Sequence, residues 1–280
     1  MMDGFAVLAS PAKQETAMKT NRTAQGLGWK ILLTTFCLAG TVSGYAQEAT
    51  TPASDSWQFT LTPYLWTPGV SGQTRIGTRI PDQNVDASIS SLLSNLDFGA
   101  MATFEARKDR WGILLDTFYV KLGHTSDPLL GGDLGTARLE ATNTLLGLAG
   151  AYRVLENDTA SLDVLLGVRY FKLWESLHLY DSKLLPAGRY ESRDIDWTDA
   201  VIGVRYQWTF VKNWSLLASA DVGTGGSQYS YQLIGGFGWD ISKMFKVDLG
   251  YRLLHEDYSK PDFLYNMSLA GPYLGLSISW

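Results

Sequence analysis

Asp199-Ala-Val-Ile-Gly-Val-Arg-Tyr-Gln-Trp-Thr-Phe210 carries two incompatible faces. In an extended chain Ala200, Ile202, Val204, Tyr206, Trp208 and Phe210 fall on one side. Asp199, Val201, Gly203, Arg205, Gln207 and Thr209 fall on the other, because successive strand side chains point to opposite faces. A soluble barrel or sandwich would bury the apolar face and hydrate the charged one. A strand crossing a membrane does the reverse, turning the apolar face to lipid and the polar face into an enclosed interior. The aromatic run toward Phe210 and the mid-strand charges Asp199 and Arg205 favour the second arrangement.

The same alternation recurs from Trp57 onward and helical spacing is nearly absent. It closes the chain, where Leu274, Leu276, Ile278 and Trp280 alternate with Tyr273, Gly275, Ser277 and Ser279. Strands are expected near 57–67, 97–107, 111–123, 138–154, 161–176, 196–210, 214–224, 228–241, 245–256 and 268–280. The fold class is therefore all-β, an antiparallel up-and-down transmembrane barrel of about ten strands, an even number that leaves both termini periplasmic. Short turns at Arg107–Arg110, Glu156–Thr159, Val211–Asn213 and Ser242–Met244 contrast with longer connections around 125–137, 178–195 and 258–267. Trp57, Trp111, Trp214, Phe245 and Trp280 lie beside the short turns, as an interfacial girdle requires. Val70–Ser90 reads as a hairpin extending beyond the membrane, with twelve strands as the alternative, and Ser91–Leu96 as a brief helical turn or a loop. One strand breaks the pattern: if Asp116 points inward, Phe118 and Val120 follow it and Lys121 faces lipid. Either a bulge repairs the parity or Lys121 reaches the headgroup layer.

Composition agrees: 45% apolar, 18% charged, 28 Gly, ten Trp and fourteen Tyr suit aromatic strands and tight turns. No run approaches the ~18 apolar residues of a membrane-spanning helix. A net charge of −5, without a Lys/Arg cluster, excludes nucleic acid as a partner. Lys19, Arg22 and Lys30 precede the apolar stretch Ile31–Ala39 and Gly44-Tyr45-Ala46, so residues 1–46 read as a signal peptide. Met18 is its natural start, which makes 1–17 an upstream extension, and 47–280 is then one barrel domain. Cys37 would leave with the signal, so no thiol chemistry is expected, and Thr34-Thr35-Phe36 is not a typical lipobox.

Trp57–Trp66, Phe104–Gly112 and Gly271–Trp280 resemble the small outer-membrane β-barrel proteins of Gram-negative bacteria, the OmpA/OmpX/opacity-like superfamily, and the likeness runs through the whole mature chain. The resemblance implies location in the cell outer membrane, with outer-membrane lipid and lipopolysaccharide as surroundings. It also implies that Leu276, Ile278 and Trp280 form the terminal signal read by the barrel-assembly machinery. Members usually end in Phe, from which Trp280 departs. The superfamily holds pores, adhesins, anchors and enzymes, so it transfers no function.

The informative residues are the charges expected inside: Glu105, Asp116, Asp163, Asp199, Asp221 and Asp248 against Arg107, Arg153, Arg169, Arg205 and Arg252, joined by Glu175, Asp240, Lys246 and Glu256. Isolated buried charges cost several kcal/mol each, so these must pair or meet water. Paired, they form a plug and the barrel has a structural or interaction role. Hydrated, they line a narrow pore for small solutes or ions. A repeated word, Leu166-Gly-Val-Arg-Tyr170 and Ile202-Gly-Val-Arg-Tyr206, with an echo in Gly250-Tyr-Arg252, places Gly and Arg on the inner face. A lipid hydrolase with its active site at the rim is the minority reading. His124-Thr-Ser126 has the spacing of a base and a hydroxyl on one face, but no third member orients it. His255-Glu256-Asp257 splits across two faces, which argues against a metal site, and Glu191, Asp194 and Asp196 read as a solvated acidic run. No cofactor is implied, since Gly223-Thr-Gly-Gly226 joins strands and opens no helix.

Overall fold

The computed structural model describes residues 56–76, 81–127, 135–182 and 186–280. The segment expected to be a signal peptide, 1–46, its expected extension 1–17 and Cys37 lie outside the described residues. Ten strands form a closed wall: β1 (Gln58–Trp66), β4 (Leu96–Lys108), β5 (Trp111–Thr125), β6 (Ala137–Glu156), β7 (Ala160–Leu179), β8 (Arg189–Val211), β9 (Trp214–Gly225), β10 (Tyr229–Asp240), β11 (Phe245–Lys260) and β12 (Phe263–Ser279). Neighbours in chain order pair antiparallel, and β12 closes on β1 through Ser279 opposite Thr60 to Tyr273 opposite Trp66. Closure matters because a membrane has no water to satisfy an open sheet edge.

Two further strands, β2 (Gly69–Ile76) and β3 (Gln83–Ala87), stand outside this ring, as the ten-strand reading requires. β12 serves two partners: its lower half pairs with β1, its upper half, Phe263–Ala270, with β2. The chain changes course at Thr67-Pro68, and Gly271 lets it pass, since a Cβ there would stand 2.2 Å from the Thr67 carbonyl oxygen. After β3, a short helix, α1 (Ile89–Ser94), capped by the Ser88 side chain, occupies the segment read as a helical turn or loop.

The wall rises unevenly. β9 and β10 have 12 residues each, whereas β6, β7 and β8 have 20, 20 and 23. β8 begins at Arg189 rather than 196 and β12 at Phe263 rather than 268, so the expected long connection at 258–267 is a two-residue turn, Pro261-Asp262. The upper parts of these strands are polar outside, as with Ser192, Asp194 and Asp196, so they lack the greasy face by which a membrane strand is recognised. Backbone pairing nonetheless continues to Leu179 opposite Arg189.

Outward side chains confirm the inverted polarity. On β8 the exposed positions run Ala200, Ile202, Val204, Tyr206, Trp208, Phe210. Ten residues at ~3.3 Å, tilted by ~40°, span about 25 Å, the height of a lipid-facing band. At the lower end aromatic contacts link Trp57, Phe59, Phe104 and Trp280, pair Trp111 with Tyr152 at 4.7 Å, and stack Trp214 on Trp239. β5 needs no bulge in its middle: its register with β6 is unbroken from Trp111 to Thr125, so Phe118 points inward and Lys121 outward.

Gly72 has φ +153° and a Cβ there would stand 2.0 Å from the Asn266 carbonyl oxygen. Gly72→Val should therefore peel β2 and β3 from β12 while the ten-strand wall stays closed. Limited trypsin digestion should then cut after Arg75 much faster than in the parent, with heat-modifiable gel mobility unchanged; an unaltered digestion rate would show that the hairpin holds independently of this contact.

Candidate functional site: the filled lumen

From below, the interior opens as a cavity of about 480 Å³ lined in part by Thr60, Thr62, Lys246, Asp248 and Ser277. The Ser277 hydroxyl donates to Asp248 at 2.6 Å and Lys246 approaches the same carboxylate at 3.3 Å. Above this mouth lies the first charge network. Asp163, 1% exposed, accepts from Arg107 at 2.8 Å, Arg153 at 3.0 Å and Arg205 at 2.8 Å. Glu105 accepts from both nitrogens of the Arg205 fork, at 2.8 and 2.9 Å, and from Arg107 Nε at 2.8 Å. Bidentate pairing of this kind holds planar groups at fixed orientation.

A second network crosses the barrel higher up. Arg252 donates to Asp116 at 2.7 Å, to the Tyr64 hydroxyl at 2.8 Å and to Gln232. Tyr64 in turn donates to Asp116 at 2.9 Å, and Asp221 is held by Arg169 and by Gln232 Nε2. Asp199 does different work. It accepts from the backbone N–H groups of Gly226 and Ser227 and from the hydroxyls of Ser227 and Ser230, fastening the short β9–β10 turn to the interior. Glu256, fully buried, accepts from the Trp197 indole at 3.1 Å.

The upper half of the interior is apolar. Phe118, Phe171 and Tyr265 meet across the lumen from β5, β7 and β12, with centroids 6.3 and 5.8 Å apart. Trp66 joins Phe118 from β1, and Trp197 of β8 stacks on Phe171 at 4.7 Å. Leu145, Leu173, Leu254 and Met267 fill the remaining space, and Phe171 and Leu254 have no exposed surface. β8 reaches β11 over the low β9–β10 turn: Trp197 stacks on Tyr258 at 4.5 Å, and Arg193 binds Asp262 at 2.8 Å.

Of the fifteen charges expected inside, nine join the two networks, Asp199 goes to the turn, Asp248 and Lys246 to the mouth, and Glu256 to Trp197. Sequence reasoning missed Tyr64, Gln232 and the aromatic fill. A signal for the pairing existed. The repeated word extends three residues back, Asp163-x-x-x-Gly-Val-Arg169 and Asp199-x-x-x-Gly-Val-Arg205, and antiparallel register sets Asp163 opposite Arg205 and Arg169 opposite Asp199.

The rim histidines resolve separately. His124 Nδ1 lies 2.9 Å from Asn95 Oδ1, a partner not anticipated, but the Ser126 hydroxyl donates to the Asp127 carbonyl and accepts from the Ala137 amide, so no His–Ser bond forms. His255 stacks between Tyr229 and Tyr231 on the outer face while Glu256 points inward, as alternation requires. Asp194 binds Lys172 and Glu191 binds Arg189; among the described residues no group of three or more potential ligands could hold a metal ion. Beside them at the rim, hydrogen bonds from Lys121 and Arg138 hold the Glu140 carboxyl below its ordinary range.

No family model matches this chain, and no curated protein matches it. Solved structures do. The outer-membrane protease OmpT from Escherichia coli superposes with a TM-score of 0.53 at 10% identity, covering 83% of this chain and 99% of that one. The translocator domain of the autotransporter NalP from Neisseria meningitidis has a TM-score of 0.38 at 12% identity, covering 79% and 88%. Ail from Yersinia pestis has a TM-score of 0.36 at 14% identity, covering 80% and 99%. At these identities the likeness is one of fold. The closed wall, its lipid-facing exterior and this likeness define the class: a small β-barrel of the Gram-negative outer-membrane type. A likeness of fold at 10% identity assigns no role.

Asp163→Ala would leave three guanidinium groups without their shared acceptor. A loss of roughly 3–5 kcal/mol is expected, since breaking a buried pair strands the partner charge. Urea unfolding of the barrel in micelles measures it, and a loss under about 1 kcal/mol would mean that water replaces the carboxylate freely.

Proposed function

We propose that this chain is a closed, non-conducting barrel with a structural or interaction role and no enzymatic activity. The observation that carries the proposal is the apolar cluster across the upper lumen, in which Phe118, Phe171, Trp197 and Tyr265 from four strands touch in a chain. A solute would have to displace packed rings and then pass ion pairs that satisfy one another. Both barriers are part of the wall itself, so no loop movement opens them. The separation of His124 from the Ser126 hydroxyl supports the absence of hydrolase chemistry at that rim.

Refolded protein in a planar bilayer should be electrically silent. Combined Phe118→Ala, Phe171→Ala and Trp197→Ala substitutions, which empty the centre of the cluster, should give discrete current steps. Steady steps from the parent protein would establish the alternative, a narrow pore whose selectivity is set by the charges of the 480 Å³ cavity.

The terminal strand is proposed as the assembly signal. Leu276 and Trp280 are exposed on its outer face, and Trp280 contacts Phe59 of β1 at 5.9 Å. Trp280→Ser should lower the yield of heat-modifiable barrel in cells several-fold while refolding from urea proceeds normally. Equal losses in both settings would assign Trp280 to barrel stability instead.

A further inference from the structure

Three neighbouring strands place six side chains of one chemical character on the outer face. In register, Tyr119 of β5 lies beside Thr144 of β6 and Lys172 of β7, and two residues higher Lys121 lies beside Thr142 and Trp174. The six line a surface cavity of about 330 Å³. Alternation sends their chain neighbours Phe118, Leu145, Phe171 and Leu173 into the lumen, so this grid faces away from it.

Each of the six can donate a hydrogen bond, and the lysines have no acceptor function at all. Among the described residues the Thr142 and Thr144 hydroxyls, the Tyr119 hydroxyl and the Trp174 indole N–H make no hydrogen bond. Only the lysines are engaged, Lys121 with Glu140 at 3.2 Å and Lys172 with Asp194 at 2.8 Å. Both pairs are partly exposed and of the kind worth ~1 kcal/mol or less, so an incoming anion can displace either carboxylate.

Height supplies the second argument. Directly below the grid the outer face turns apolar through Leu146, Leu148 and Val168, while Glu140 stands above it and Asp194 and Asp196 flank it on β8, in register with Trp174 and Lys172. Tyr and Trp at such a boundary mark the headgroup level of a bilayer. Four short turns, at 109–110, 157–159, 212–213 and 241–244, and both ends of the barrel wall lie at the opposite end, whereas the longer connections after β5 and β7 lie at the grid's end, which places the grid at the outer leaflet.

We infer that Lys121, Thr142, Thr144 and Lys172, between Tyr119 and Trp174, form a binding site for the phosphate monoester headgroup of an outer-leaflet glycolipid. The lysines neutralise the phosphate, the threonine hydroxyls and indole donate to its oxygens, and the acyl chains run down over Leu146, Leu148 and Val168. A free phosphate ion would gain the first two interactions and lose the third.

The test is native mass spectrometry of the full mature barrel released from micelles, titrated with diphosphorylated lipid A. Lys121→Ala with Lys172→Ala should weaken retention about thirtyfold, at ~1 kcal/mol per lysine and 1.4 kcal/mol per decade. Glu140→Gln should strengthen retention by freeing Lys121, Lys212→Ala on a lower turn should leave it unchanged, and lipid A stripped of phosphate should bind the parent as weakly as the intact lipid binds the double variant. Equal retention by parent and double variant, or no discrimination against the stripped lipid, overturns the site. Competition by inorganic phosphate at equal concentration overturns the lipid assignment. If the lysine variant fails to fold, Thr142→Val with Thr144→Val keeps strand propensity and removes two donors, and retention equal to the parent's overturns the site by that route.

Discussion

Three guanidinium groups converge on one carboxylate at Asp163, and most of the lower barrel is arranged so that they can. A strand crossing lipid leaves its charged residues only the interior, and there Asp163, Arg205 and Arg252 are nearly withdrawn from solvent. Pairing is then obligatory, because one uncompensated charge costs as much as a domain can spare. The requirement is met by three strands besides β7: Arg107 arrives from β4, Arg153 from β6 and Arg205 from β8. Such a network specifies relative strand position, since a slip of one residue would send every partner to the lipid face.

The spacing of Asp and Arg along β7 and β8 shows how sequence encodes that specification. In each strand the arginine follows the acid by six positions, and when the two run antiparallel the pattern meets itself in reverse. Asp163 and Arg205 keep the resulting contact at 2.8 Å. At the other end of the pattern Arg169 turns to Asp221 instead, which frees Asp199 for the β9–β10 turn. That turn is low, and its lowness lets β8 approach β11 above it, where Trp197 meets Tyr258. Charge pairing below and aromatic closure above are thus linked through one aspartate.

Alternation revealed the lumen charges, the girdle and the strand number because those features obey one rule, an apolar exterior over an enclosed polar face. The rule fails where the environment changes. Above the lipid band the outside becomes polar, so the tops of β8 and β12 lose their greasy face and read as loops although their backbones remain paired. The interior meanwhile turns apolar at the same height. Phe118 and Val120 looked like an error in register at β5, yet they are the first inward residues of the aromatic cluster, and Lys121 is outward because the lipid has ended there. The apparent conflict in one strand was the boundary between two regimes. Asn95 beside His124 was unreadable for another reason, since it is brought there by α1, whose position follows from the hairpin before it.

The same boundary explains why the interior and the exterior carry different kinds of chemistry. Inside, Asp163, Glu105, Asp116 and Asp221 take up the arginines, although Arg107 Nη1, Arg252 Nε and Trp66 Nε1 stay without a partner among the described residues. An incoming group there must replace charge-assisted hydrogen bonds of equal quality, so most of the interior gains little from a ligand. At the outer boundary the opposite holds. Among the described residues Tyr119, Thr142, Thr144 and Trp174 spend no side-chain donors on the protein, and the flanking acids bind the lysines only through exposed pairs. Unspent donors against lipid are tolerable only where headgroups or water reach them, and they are useful only to something that accepts. Recognition in this barrel therefore belongs on the outer face at the height where the interior changes from ion pairs to rings.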